Sequence, residues 1–452
     1  MKNKKTPAIR FKGFTDDWEQ RKLSDIVERV TRKNKNIEST LPLTISAQYG
    51  LIDQSEFFDK RIASKDVRNY YLVHKGEFAY NKSTSASAPW GAIKRLDRYE
   101  SGVLSTLYIV FKIADKNKVN SDYLASYYDS TLWYKEIHAI AAEGARNHGL
   151  LNIAPMDFFE TNLLMPKSLV EQKKIGTYLK KINNLITLHQ RKLEKLKNFK
   201  KAMLEKMFPK NSEKTPKIRF QGFTDDWEQR KFSELFKRRM ERNNGQFDKT
   251  KWISVANMYY QDPDKVTSNN IDTRTYVLRL GDISFEGHSN KEFKIGRFVE
   301  NDIGDGVISE LFPIYQHITS YDLNFWKHYI NIENIMFPKL QRCIEVSYTS
   351  SNKLSEKFFL KESILVPAIL EQKKIGTYLK KIDNLITLHQ RKLEVYFFIR
   401  KQFLGNSVSY QILEKQQAEL LLSRSFLLRV NIKLLALEVI LKIVRILIKV
   451  LE

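Results

Sequence analysis

The chain has 452 residues, with 76 Lys and Arg against 52 Asp and Glu, so it carries a formal charge of +24 on a body that is 42% hydrophobic. That length predicts two or three domains, and the apolar content excludes large-scale disorder. The longest run without a charged side chain, Ser39 to Ile52, has 14 residues, against about 20 for a bilayer crossing, which excludes a membrane span.

In chain order, Met1 to Phe14 has lysines but no apolar core of a secretion signal, so a cytoplasmic location is expected. Cys343 is the single cysteine, which excludes an internal disulfide framework and a Cys-based zinc cluster. The segment TPAIRFKGFTDDWEQRK at Thr6–Lys22 returns as TPKIRFQGFTDDWEQRK at Thr215–Lys231, identical at 15 of 17 positions. Its acidic run, Asp16 to Glu19, suits capping and docking rather than catalysis. A second string, EQKKIGTYLKKINNLITLHQRKLE at Glu171–Glu194, returns at Glu371–Glu394 with Asp383 in place of Asn183. The protein is therefore two copies of one unit, each with a short start, a long middle and a helical end.

The middles have diverged but keep marks of common descent. Tyr71, Gly76, Phe78 and Tyr80 match Tyr276, Gly281, Ile283 and Phe285 at one constant offset of 205. GVLSTLY from Gly102 is similar to GVISELF from Gly306. Alternating apolar residues bounded by Gly and polar turns predict short strands here, and Tyr123–Ile140 predicts a helix, giving a mixed α+β module.

The helical ends carry a heptad seam: Ile175, Leu179, Ile182, Ile186, His189, Leu193 and Leu196, then Lys200, Met203 and Met207. The second copy repeats it at Ile375, Leu379, Ile382, Ile386, His389 and Leu393. Two such stripes can bury each other in an antiparallel pair, the alternative being that each helix packs on its own domain's core. The seam histidines suit register-fixing polar positions. The outer face of the first helix carries eleven Lys or Arg against three Glu between Glu171 and Phe208, a solvated face or a lining for a duplex or acidic partner.

Catalytic parts are missing. The sequence contains no Gly-Lys dipeptide and hence no P-loop, no His-Glu-x-x-His, no Gly-x-Ser-x-Gly, no G-x-G-x-x-G and no Asn-Pro-Pro-aromatic motif. A two-headed binding protein is the simplest reading. Two competitors stay open: a nuclease chain with an unrecognised centre, and a bivalent scaffold whose basic face binds an acidic protein.

The order of parts resembles the specificity subunit of type I restriction-modification enzymes. The resemblance rests on the starts F-x-G-F-T-D-D-W-E-Q-R-K-x-S at Phe11 and Phe220, and on the junctions MPKSLVEQKKIGTYL at Met165 and VPAILEQKKIGTYL at Val366. It covers the chain to about Glu394. The resemblance implies an α+β chain in which two related mixed α/β target-recognition domains are joined by two long helices forming an antiparallel coiled coil. The corresponding boundaries are 1–165 and 211–366 for the domains, 166–210 and 367–394 for the conserved helical regions, and 395–452 for an atypical apolar and basic tail expected to be helical. It further implies a non-catalytic subunit that binds double-stranded DNA, reads one half of an asymmetric site with each domain, and docks two methyltransferase subunits. Restriction and translocase subunits complete the complex, and S-adenosylmethionine, ATP and magnesium belong to the partners, so no cofactor is expected on this chain.

Duplex chemistry selects candidate readers among polar loop residues, because Arg and Lys suit guanine, Asn and Gln suit adenine, and small polar groups suit phosphates. They are Lys82, Ser83, Thr84, Trp90 and Arg95, with Arg146, Asn147 and His148 between two glycines, and His288, Ser289, Asn290, Lys291 and Arg297 in the second copy. After Glu394 the repeat is lost, and from Glu419 the tail is dense in Leu, Ile and Val with charges every three to five residues. A substitute partner for the seam, a protein-binding surface and a shifted reading frame each fit that tail. The abrupt loss favours the shifted frame, and in that case the distal half of the second helix is compromised and docking of one methyltransferase subunit is in doubt.

Overall fold

A computed structural model of the chain describes residues 10–46, 49–58, 62–86, 88–141, 149–210, 213–268, 270–345 and 351–404. Arg146, Asn147 and His148, and the tail beyond Leu404, lie outside the described residues. The chain divides into two units, one formed by Met1–His189 with a segment beginning at Lys392, the other by Gln190–Arg391.

In the first unit, four antiparallel strands form a sheet in the order Val27–Arg29, Ile109–Ile113, Phe78–Asn81, Ala92–Arg95. Both faces are covered. Phe78, Tyr80, Ile93 and Phe111 point into one core, while Ala79 and Val110, one residue along, point into another. The period of two therefore survives as a choice between two apolar layers rather than between core and water. Phe78 and Phe111 face each other across the strand pair with ring centroids 5.3 Å apart. Burying each such side chain stabilises the fold by roughly 1.5–3 kcal/mol.

The second unit repeats the arrangement with different side chains. Its sheet runs Phe236–Arg239, Ile314–His317, Ile283–Glu286, Arg297–Glu300. Ile283, Phe285, Phe298 and Tyr315 enter one core, and Val299 and Ile314 the other. The diverged middles thus share one topology.

Strand Glu19–Lys22 pairs with Asn162–Met165, and Glu228–Lys231 pairs with Ser363–Val366, so each repeated start closes onto the last strand of its own module. The helix expected over Tyr123–Ile140 is broken into Ser121–Tyr128 and Tyr134–Ile140. Ser130 is responsible: its hydroxyl donates to the Tyr127 carbonyl at 2.6 Å and accepts from the Leu132 N–H, displacing helical hydrogen bonds.

The two long helices span Leu169–Lys206 and Ile369–Leu404. The second therefore continues past Glu394, the end of the repeated string, to Leu404. Its seam is kept in kind rather than in identity, since Tyr396, Arg400 and Phe403 fall at the places of Leu196, Lys200 and Met203. Within the first unit, Tyr178 lies 4.8 Å from Phe403 and His189 stacks at 5.5 Å on Tyr396, so the two helical segments run antiparallel there.

The stripe has two partners along its length. Ile175 packs on the first unit's core, and Ile375, Leu379, Ile382 and Ile386 belong to the second unit's core, into which Leu193 and Leu196 also pack. Leu179, Ile182, Ile186, His189 and Leu393 are buried, while His389 is half-buried. The opening turns of each helix thus dock on the helix's own module, as in the alternative left open above.

The repeated glycine in KKIGTYL marks that docking. A Cβ at Gly176 would lie 2.5 Å from the Tyr123 backbone nitrogen, and one at Gly376 would lie 2.7 Å from that of Phe325. Contact this close requires a side chain of hydrogen. Gly176→Ala should lower stability by roughly 1–3 kcal/mol through overpacking, measured by urea unfolding of the full chain. An unchanged midpoint would refute the close approach.

Candidate nucleic-acid interface

Each module is fastened to its helix by an ion pair between the two repeated marks. Arg10 grips Glu171 with two hydrogen bonds of 2.6 and 2.8 Å, and Arg219 grips Glu371 with two of 2.8 Å. Both glutamates are buried in the first turn of their helices. The next residue continues the clasp. Gln172 accepts from the Asn120 N–H at 2.8 Å and donates to the carbonyls of Lys118 and Pro166, while Gln372 accepts from the Asp322 N–H at 3.2 Å and donates to Pro367. Asn120 and Asp322 in turn cap the short helices Ser121–Tyr128 and Leu323–Tyr329.

This frame holds two equivalent loop junctions. In the first unit, the loop leaving strand Phe78–Asn81 brings Ser83 into a β-bridge with Leu150 and the Thr84 N–H to within 2.6 Å of the Gly149 carbonyl. Lys82, Ser83 and Thr84 are therefore gathered against the residues that directly follow Arg146, Asn147 and His148. Lys82 donates to the Ile153 carbonyl at 3.3 Å, and burial lowers its ammonium pKa below the ordinary lysine value. Trp90 sets its ring edge-on to His138 at 5.0 Å, and its carbonyl accepts from the Tyr80 hydroxyl.

In the second unit the matching loop brings His288 into a β-bridge with Ser351, and the Asn352 N–H donates to the Gly287 carbonyl at 3.0 Å. A Cβ at Gly287 would meet the Asn352 carbonyl at 2.2 Å, so only glycine permits this crossing. His288 Nδ1 lies 2.5 Å from a Glu286 carboxylate oxygen. Asn290 accepts from the N–H groups of Glu292 and Phe293 and so shapes the turn that exposes Lys291. Asn352 donates to the Ser289 hydroxyl at 3.5 Å. Ser351 and Asn352 were not among the sequence candidates. Their signal is a polar stretch facing the glycine of a strand-end loop, which becomes visible only when the two segments are paired.

Two candidates, Arg95 and Arg297, are drawn inward. The Arg95 side chain is only 8% exposed, bonded to Asp97 at 2.6 Å, to Asp122 at 2.7 Å and to Ser121 at 2.8 Å. Arg297 lies over the Phe293 ring at 4.6 Å and donates to the Ala256 carbonyl. Both sit on the strand next to the loop rather than on the loop itself. Their alternating position turns them toward neighbouring elements.

The strand register puts Glu300 at the place of Arg95, opposite Ile283 as Arg95 is opposite Phe78. A buried cation in one unit is thus replaced by a buried acid in the other. Neither Glu300 carboxylate oxygen has a hydrogen-bond partner among the described residues, and His317 Nε2 is 3.9 Å away. Burial pushes the Glu300 carboxyl well above the usual carboxylate range, with Asp302, Asp322 and Asp282 adding to the rise and Lys327 opposing it. Burial likewise pushes Asp282 up to about 6 and His317 down to about 3.

Among the described residues no helix is long and apolar enough to cross a membrane, and no group of three or more His, Cys, Asp or Glu side chains is placed to hold a metal ion. A cavity of about 410 Å³ lies beside the Arg219–Glu371 pair, lined also by Asp225, Asp226 and Arg230. Trp227 is turned away from that pair into contact with Phe208, Phe325 and Tyr329, whereas its counterpart Trp18 donates to Glu171 at 3.3 Å.

No family model matches the chain, and no curated protein does. Among solved structures, it is similar to the S subunit of a type I restriction-modification system from M. genitalium, with 12% identity and a TM-score of 0.55 over 89% of this chain and 100% of that one. It is also similar to the HsdS subunit from Thermoanaerobacter tengcongensis, with 15% identity and a TM-score of 0.40 over 86% and 95% of the two chains. A third similar chain comes from a structural study of complex assembly and conformational transition in the type I R-M system, with 13% identity and a TM-score of 0.41 over 86% and 96%. The chain has the fold of the M. genitalium S subunit along most of its length.

Because the folded pKa of Glu300 is raised above its unfolded value of 4.5, its contribution is present below that value and lost as pH rises through the folded pKa. Glu300→Gln, which mimics the protonated acid, should raise the thermal midpoint at pH 8 and lose that advantage toward pH 5. A difference independent of pH would show that Glu300 is not held protonated.

Proposed function

We propose that this chain is the DNA-recognition subunit of a type I restriction-modification complex, in which each module reads one half of a bipartite site. The observation that carries the reading is the duplicated module with a constant frame and a variable loop junction. The clasp and the sheet are kept in both units, while the residue types at the two junctions differ. Lys82, Ser83, Thr84 and Trp90, with Arg146, Asn147 and His148, form one set. His288, Ser289, Asn290 and Lys291, with Ser351 and Asn352, form the other. Different sets imply different half-sites and an asymmetric target. Lysines supply phosphate contacts and position the module, while the amide, hydroxyl and imidazole groups discriminate bases.

In this reading the long helices set the spacer. A helix of 38 residues is about 57 Å long at ~1.5 Å per residue, longer than one DNA turn of about 34 Å. They also dock methyltransferase subunits. Leu188 and Phe398 in the first unit and Phe199, Leu385 and Leu388 in the second are exposed apolar side chains on otherwise basic helices, a composition that suits packing against partner helices. The chain has no activity of its own in this reading, and S-adenosylmethionine, ATP and magnesium act on the partner subunits.

Mapping methylated sites in cells that carry the whole system tests the reading. Asn352→Ala should relax base choice in one half of the target by roughly 10-fold, equivalent to ~1–3 kcal/mol of discrimination, and leave the other half unchanged. Equal relaxation in both halves, or none, would contradict the assignment of one module to one half. Leu385→Glu with Leu388→Glu should remove co-purification of methyltransferase while DNA binding by the isolated chain persists. Undiminished co-purification would place docking elsewhere.

A further inference from the structure

The long repeated string differs at one place, Asn183 against Asp383, and the structure gives that difference a partner. In the first unit Asn183 donates to Asp129 at 3.2 Å. Asp129 also takes Lys94 at 2.6 Å and lies 3.7 Å from the Arg400 guanidinium, which comes from the second long helix. In the second unit Asp383 takes Lys200 of the first long helix at 2.6 Å and bonds His328 Nε2 at 2.8 Å. Lys200 and Arg400 are equivalent at an offset of 200, as are Asn183 and Asp383.

The helix caps align the remaining member. Asn120 and Asp322 cap the two short helices by accepting from Tyr123 and Phe325, an offset of 202 that carries Asp129 onto Asn331. Each unit therefore holds one carboxylate against the cation of the opposing helix. It stands on the module in the first unit and on the long helix in the second. Burial alone would raise the carboxyl pKa of Asp129, and Lys94 and Arg400 outweigh it and hold the value below the ordinary one. Asp383 is likewise held low against burial by His328 and Lys200. Both carboxylates are charged and partly buried, so neither cation can lose its partner without consequence.

We infer that this exchanged carboxylate assigns each module to its helix, and that the assignment has a direction. The second module, with Asn331, depends on a long helix bearing Asp383. Placed on a helix bearing Asn183, it would leave Arg400 and His328 facing each other's surroundings with no acid. The first module brings both Asp129 and Lys94. Placed against Asp383, it would meet two carboxylates with two cations, Lys94 and Lys200, and remain balanced. The relation concerns only the join between module and helix and does not rest on what the modules read.

The test uses full-length variants and thermal unfolding. Asp129→Asn should lower the midpoint by roughly 5 °C, and adding Asn183→Asp should recover most of that loss. Asn183→Asp alone should be near neutral. Failure of the double variant to exceed Asp129→Asn would overturn the inference. A second set covers the case in which Asp129→Asn does not fold: a chain with the second module grafted into the first place, with Asn183 or with Asn183→Asp. A higher midpoint for the grafted chain with Asp at that position is expected, and equal midpoints would overturn the assignment.

Discussion

A buried glutamate in the first turn of each long helix, gripped at both oxygens by an arginine from the start of its module, is the constraint on which the molecule depends. Glu171 is 153 residues from Trp18 and 161 from Arg10, yet all three meet. A carboxylate taken out of water is tolerable only with charge and hydrogen bonds to match it. The start segment must therefore return to the helix, and the short antiparallel strand pair beside it fixes the register of that return. The module's two ends are tied to each other and, through Gln172 and Gln372, to the capped start of one short helix in its interior, which leaves the remaining segments free to vary.

That division explains which parts were legible in the sequence. The starts and the helix openings are near-identical, and Arg10 with Glu171 and Arg219 with Glu371 show that these repeated marks touch one another in both copies. The seam was also legible, but its partners were not. Periodicity marks Ile175 and Ile375 as apolar without saying whether a helix or a module core covers them. The end of repeat identity at Glu394 does not end the helix: Tyr396, Arg400 and Phe403 keep the bulk and charge that the seam requires, so the helix goes on to Leu404. Selection by residue type gathered Lys82, Ser83 and Thr84 with the segment around Asn147, and their flanks do meet. It also picked Arg95 and Arg297, whose inward direction follows from strand alternation and from Asp122 and Phe293, information that no single segment holds. Asn352 was missed because its neighbour is Gly287, 65 residues away in sequence.

Charge, unlike shape, is free to move within this frame. Arg95 among aspartates in one sheet and Glu300 in the matching position of the other are opposite solutions at one site. Asp129 and Asp383 supply one negative charge each from different elements. In the second case the backbone is conserved while the ion is relocated, because Coulombic matching depends on which charges are near and not on which segment carries them. Duplicated modules can in this way drift far in sequence without drifting in fold.

The end of the first long helix has a bearing on how the two copies join. Phe208 stacks on Tyr329 at 5.0 Å and meets Trp227 edge-on at 6.1 Å, with Met207 buried beside it. An aromatic plug of this kind ties the end of the first long helix to side chains of the second module's own core. The helix therefore finishes inside the packing of the second copy rather than in a free tether, and the far end of one repeat is built from the near parts of the next.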